Sequence, residues 1–150
     1  MNVRISAKSR YALAALTTMA MQEASGECVT VISISEGLGI SKIYLEQVFS
    51  LLKRAKLVTS VKGAQGGYRL SRGASAITAL VVLRAMESSI FEETAPSADV
   101  GAAYVDRALS SEIWLPLDAA VSAALEKTTL QSLAARAQKE KDGGTMMFYI

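Results

Sequence analysis

Residues 31–70 constrain the fold of this 150-residue chain more than any other stretch. From Ser33 they read SISEGLGISKIYLEQVFSLLKRAKLVTSVKGAQGGYRL. Residues 33–38 have the spacing of a short helix, with Ser33 as its cap and Ile34 and Leu38 as an i,i+4 apolar pair. Gly39 supplies a positive-φ turn residue, Ile40 fills the angle between two helices, and Ser41 caps a helix that runs to about Ala55. Leu45, Val48, Phe49 and Leu52 give that helix a buried face. Residues 57–61 and 68–70 read as two strands joined by Lys62-Gly63-Ala64-Gln65-Gly66-Gly67, a tip whose glycines permit a tight turn. Helix, turn, helix and hairpin in this order make a winged helix-turn-helix, which seats one helix in the major groove of DNA.

Charge agrees with that reading. The net charge of +2 is split between the two halves. Residues 1–72 carry ten Lys/Arg and four Asp/Glu, and residues 73–150 carry six and ten. A basic half suits a polyanion, and the acidic half should face away from it. The alternative is that the charge merely solvates the surface. On the second helix of the motif, Lys42 can reach a phosphate, and Tyr44 and Gln47 can bond to bases or phosphates. Tyr44 also reads as a half-buried packing residue. Glu46 is repelled by phosphate, so it either accepts from a cytosine amine or positions a neighbouring cation. Lys62 and Gln65 at the wing tip can enter the minor groove. The glycine-rich tip joins strand to strand and opens no helix, so it fails as a nucleotide-binding loop.

Arg4, Lys8 and Arg10 precede an apolar run over residues 11–21 that mimics a secretory leader. Thr17 and Thr18 interrupt the run, and it is too short to span a membrane. It is expected to be a buried helix, residues 6–24, of a cytoplasmic protein with no membrane contact, capped by Ser6 and packed through Tyr11, Ala15, Leu16 and Met19. Lys8 and Arg10 lie in its first turn, beside Arg4, where free N–H groups and cations make a phosphate-binding corner; ordinary surface charge is the rival reading. Residues 28–31 are β-prone and expected to pair with the wing. Residues 77–86 read as a very apolar helix beneath the wing.

Further on, Leu109, Ile113, Leu117, Val121 and Leu125 recur at i+4, widened by Trp114. One helix cannot bury such a stripe alone, so a second copy of the chain is the expected cover, with Pro116 kinking or splitting the helix. Thr128 or Thr129 caps a last helix through Ala137. Asp142-Gly143-Gly144 reads as a hinge carrying Met146 to Ile150, a sticky tail suited to a partner's pocket or to folding back on the core. The fold class expected is mainly α with a small β-hairpin. Its domains are a winged helix-turn-helix (1–86), a loop (87–100), dimerisation helices (101–140) and a partner-binding tail (141–150).

ISAKSRYAL, ISKIYLEQVFSLLKRAKLV, SVKGAQGGYRL and ITALVVLRAME resemble the Rrf-type family of bacterial winged-helix regulators, and the resemblance covers the whole chain. It implies a cytoplasmic homodimer that represses transcription from a palindromic double-stranded DNA operator, read by the third helix and the wing. The family's recognition positions fall on Ser41, Tyr44, Glu46 and Gln47. The wing position that is usually arginine is Lys62, which keeps the charge but loses planar, bidentate donation. The glycine that usually follows the N-terminal lysine is Ser9. Iron–sulfur members carry three cysteines in the loop before the long helix. FEETAPSADVGAAYVDRAL has neither Cys nor His, so no cofactor and no iron–sulfur cluster are expected. The ending TTL…MFYI is similar to the branch that represses cysteine-metabolism genes. That likeness implies a further partner, cysteine synthase (O-acetylserine sulfhydrylase), whose substrate pocket would receive Phe148, Tyr149 and Ile150, with O-acetylserine as competitor.

Two other readings stand beside this one. A stand-alone redox regulator would use Cys28, the lone cysteine; no basic residue adjoins it in the sequence and Glu27 is acidic, which favours an inert thiol. A tail-binding module that has lost DNA binding would regulate an enzyme. An enzyme is least expected, because the sequence has no histidine and shows no nucleophile–base pair or metal-ligand set.

Overall fold

The computed structural model describes residues 4–64 and 66–148, with residues 145–148 described by backbone alone. Chain order is α1 (Ala7–Met21), α2 (Val31–Leu38), α3 (Lys42–Arg54), β1 (Val58–Val61), β2 (Gly67–Leu70), α4 (Ala79–Met86), α5 (Ala103–Leu109), α6 (Leu115–Glu126) and α7 (Leu130–Phe148). The mainly helical class with one β-hairpin is as expected.

Caps set most of the helix starts. Ser6 Oγ accepts from the Ser9 amide at 3.2 Å, and Ser41 Oγ accepts from the Tyr44 amide at 3.4 Å. Gly39 turns the chain between α2 and α3 at φ 69°. The expected cap at Ser33 is wrong: Thr30, in extended backbone, caps α2 by accepting from the Ser33 amide at 3.1 Å. The helix therefore starts at Val31, and only Val29 of the β-prone piece pairs with the wing, exchanging bonds of 2.9 and 2.8 Å with Tyr68. Likewise α4 starts at Ala79, capped by Thr78, because Ile77 is extended and its carbonyl accepts from the Leu130 amide. α4 packs on α1, α3 and α6 rather than lying beneath the wing.

Leu16, Ile34, Leu45, Phe49, Leu52, Leu57, Ile77, Val82 and Leu130 are fully buried and join α1, α2, α3, α4 and α7 in one core. Truncating one of these leucines to alanine costs about 2–5 kcal/mol. The hairpin pairs Val58 with Leu70 through Val61 with Gly67. At Gly67 a Cβ would sit 2.6 Å from the Val29 carbonyl oxygen, so glycine is what lets the wing approach that strand.

Residues 103–126 form a helical rod with a π turn at Ser110–Trp114. Pro116 stands in the first turn of α6, directly after it; the backbone stays helical throughout rather than splitting, and the wider turn absorbs the hydrogen bond that proline cannot donate. No residue of the rod is fully buried. Thr129 and Ser132 then cap α7 reciprocally at 3.0 and 3.1 Å, and α7 lies along α1. The hinge expected at residues 142–144 is instead helical. The i,i+4 pairs Arg136–Glu140 and Gln138–Asp142 carry α7 across, and neither glycine takes a positive φ. Among the described residues no helix is long and apolar enough to cross a membrane.

Candidate nucleic-acid interface

α3 buries Leu45, Val48, Phe49 and Leu52, which turns Ser41, Lys42, Glu46 and Gln47 out into solvent. Lys42 Nζ lies 3.7 Å from the Glu46 carboxylate, so of the two roles open to Glu46 the unbound chain gives it the neighbouring cation. Both partners are exposed, so the pair orients the lysine more than it stabilises the helix. Tyr44 is half-buried, its ring edge-on to Tyr11 at 5.1 Å, and it ties α3 to α1.

The first turn of α1 adds cations beside that helix. Arg4 and Arg10 are exposed and Lys8 is half-buried, and the Arg10 guanidinium sits 5.7 Å above the Tyr11 ring. The turn is fixed from a distance. Glu87 Oε2 accepts from the Ser6 amide at 3.0 Å, the Ser6 hydroxyl at 2.6 Å and the Ser9 hydroxyl at 2.6 Å. These hydroxyl and amide donors, with the nearby Lys8 ammonium, hold the Glu87 carboxyl below its ordinary value. Lys62 is exposed where β1 enters the wing tip, while Gln65 lies outside the described residues. So do Tyr149 and Ile150, and the Phe148 side chain is likewise not described.

Three residues were missed by sequence reasoning. Ile43 is 71% exposed in the first turn of α3, where an apolar side chain can meet a thymine methyl; its break from the buried i,i+3/i+4 pattern was the available signal. Glu87 gave no signal, because its partners lie about eighty residues away. Arg69 lines a cavity of about 480 Å³ that half-buried Cys28 also lines.

On the rod, Ile113, Leu115 and Leu117 are 45%, 62% and 53% exposed, and Leu109, Trp114, Val121 and Leu125 are half-buried. The apolar stripe is thus only partly covered within one chain, with Ile113 and Leu117 exposed at its centre.

A wing tied to a short strand, an exposed polar first turn on α3 and a cationic corner on α1 define a winged helix-turn-helix regulator of transcription. A family profile described as Rrf2, iron-dependent transcriptional regulator, matches residues 5–136, and the chain belongs to that family. It is 38% identical over 131 residues, covering 87% of this chain and 79% of the relative, to the HTH-type transcriptional regulator IscR of Yersinia enterocolitica. Among solved structures it is similar to CymR of B. subtilis, titled the global cysteine regulator (32% identity, TM-score 0.74, 90% of this chain and 98% of that one). It is also similar to T. potens IscR (28% identity, TM-score 0.73, 93% and 92%).

These likenesses correct one expectation. The family is described as iron-dependent and the curated relative is an IscR, so the expectation of no cofactor, drawn from one cysteine-free loop, does not stand. The residues on hand do not fit a metal ion by themselves: among the described residues no group of three or more His, Cys, Asp or Glu is placed to hold one.

Proposed function

We propose that this regulator works as a homodimer on palindromic operators and represses genes of cysteine and sulfur supply, with cysteine synthase as corepressor. The observation that carries the DNA-reading part is the polar first turn of α3 standing exposed above a fully buried face. Ser41, Tyr44, Glu46 and Gln47 read bases or their flanking phosphates in the major groove; Lys62 and Gln65 enter the minor groove; Arg4, Lys8, Arg10 and Lys42 neutralise phosphates. The partly covered stripe through Leu109, Ile113, Trp114, Leu117, Val121 and Leu125 supports a two-fold pairing of rods, which sets two α3 helices a fixed distance apart. The sulfur assignment is supported by the likeness to the global cysteine regulator and by the MFYI tail. In this reading Phe148, Tyr149 and Ile150 enter the synthase pocket until O-acetylserine displaces them.

Lys62→Ala tests the wing. Affinity for duplex DNA should fall across sequences and the salt slope flatten by about one unit. Unaltered affinity at low salt would remove the wing from the interface.

A second reading rests on Cys28. Cys28 is half-buried on a cavity that Arg69 also lines, and a structure similar to this one is that of an oxidized form of Staphylococcus aureus CymR (33% identity, TM-score 0.67). Oxidation of Cys28 would press on the Val29–Tyr68 bridge and so on the wing. Thiol titration of the native protein decides it: no modification without denaturant ends the redox reading.

A further inference from the structure

We propose that Glu87 is a positioning residue for DNA binding, clamping the end of α1 that carries Lys8 and Arg10. This rests on the assignment of that end to phosphate contact. Three donors converge on one oxygen of Glu87, from Ser6 and Ser9, so the cap of α1 and its first turn are held by one side chain at the end of α4. Ser9 is the buried polar side chain of the core, fully enclosed and 2.6 Å from the carboxylate.

The first turn of a helix frays easily, because its amides have no partners within the helix. Here the carboxylate satisfies the Ser6 amide and the two hydroxyls flanking Lys8. Lys8 is held between those anchors, and Arg10 follows one residue on, stacked over Tyr11, which in turn touches Tyr44 of α3. The clamp therefore fixes cationic groups relative to the recognition helix. Glu87 is also the residue at which α4 gives way to the 3-10 turn Ser88–Phe91, so the loop that leads to the rod is anchored at the same point as the DNA-facing end of α1.

The charge of Glu87 makes the test sharp. Removing an acid from the neighbourhood of DNA ordinarily tightens binding to a polyanion; removing a positioning acid weakens it. Fluorescence anisotropy with the full chain and random-sequence duplex DNA, repeated over a salt series, reads the sign. Glu87→Gln should bind about tenfold more weakly near 0.1 M salt, with a slope lower by roughly one to two units. Ser9→Ala should move both in the same direction by less, and the double variant should be no weaker than Glu87→Gln alone. Equal or tighter binding by a folded Glu87→Gln protein overturns the proposal. Should that variant fail to fold, Ser9→Ala carries the test: weaker binding at an unchanged melting temperature supports the clamp and unchanged affinity overturns it. A Lys8→Ala/Arg10→Ala variant separates the underlying assignment. An unchanged slope there overturns the α1 contact and the proposal with it, whereas a lowered slope with Glu87→Gln unaffected overturns the clamp alone.

Discussion

Lys56 sits at φ 61°, one residue past the C-cap of α3, with the Leu57 amide bonded back to the Leu52 carbonyl at 3.0 Å. That is the closing bond of a Schellman motif, whose left-handed residue is ordinarily glycine because a Cβ is crowded there. Lys56→Gly should therefore stabilise the chain by roughly 0.5–1 kcal/mol, seen as a melting temperature about 2–4 °C higher; a drop would mean that the lysine side chain makes a compensating contact. Glu87 gives a pH prediction. Its folded value lies below the ordinary 4.5, so its contribution is fully present above that value and is lost as pH falls through the lowered one. Ser6, Ser9 and Lys8 are the groups that produce the shift. Acid unfolding of Glu87→Gln should lose that part of the pH dependence; an identical acid limb would show that the shift has no thermodynamic weight. At this scale the sequence was legible where the signal is local. Ser41 and Gly39 announce themselves by type and spacing. Thr30 was passed over for Ser33 because either hydroxyl can cap, and only the backbone angles decide between them.

At the scale of elements, the hairpin and its glycines were readable, but its anchorage was readable only in part. The Val29–Tyr68 bridge confines Gly67 against the Val29 carbonyl, and a methyl there would collide at 2.6 Å. Gly67→Ala should cost about 1–3 kcal/mol and weaken DNA binding by displacing the wing; unfolding in urea and a binding curve check both, and a neutral result would mean the bridge gives way easily. The end of α7 departs from the sequence expectation: two glycines signal a break, while i,i+4 pairs on the flanking turns keep the helix going. In the proposed reading, the tail leaves this helix to enter the partner's pocket. Each glycine lowers the cost of unwinding by about 1 kcal/mol relative to alanine, and neither has a neighbour that a Cβ would meet. Gly143→Ala/Gly144→Ala should therefore weaken cysteine synthase binding by tenfold or more in titration calorimetry. Unchanged affinity would mean that the tail binds as a helix.

At the scale of the molecule, the fold class followed from the order of elements, because a capped turn between two short helices followed by a glycine-rich hairpin leaves few alternatives. The long helix was legible from its i+4 stripe, and its proline is met by a π turn rather than a break. What a stripe pairs with is a property of two chains, and one sequence carries it only as an uncovered surface. Leu117→Glu on the exposed centre of that stripe should give a monomer in sedimentation velocity with its winged domain intact; a persistent dimer would place the interface elsewhere. The cofactor was misjudged for a related reason: the absence of Cys and His from one loop says what that loop lacks, not what a family described as iron-dependent uses.

The central claim is that the signal reaches the DNA-reading face through the tail. Anisotropy of a palindromic operator probe, titrated with the regulator in the presence and absence of cysteine synthase, tests it most directly. The synthase should tighten operator binding by the full chain, O-acetylserine should reverse that gain, and a chain lacking Phe148 to Ile150 should bind DNA alone and ignore both. Equal responses from the full and shortened chains, or no response from either, would contradict it.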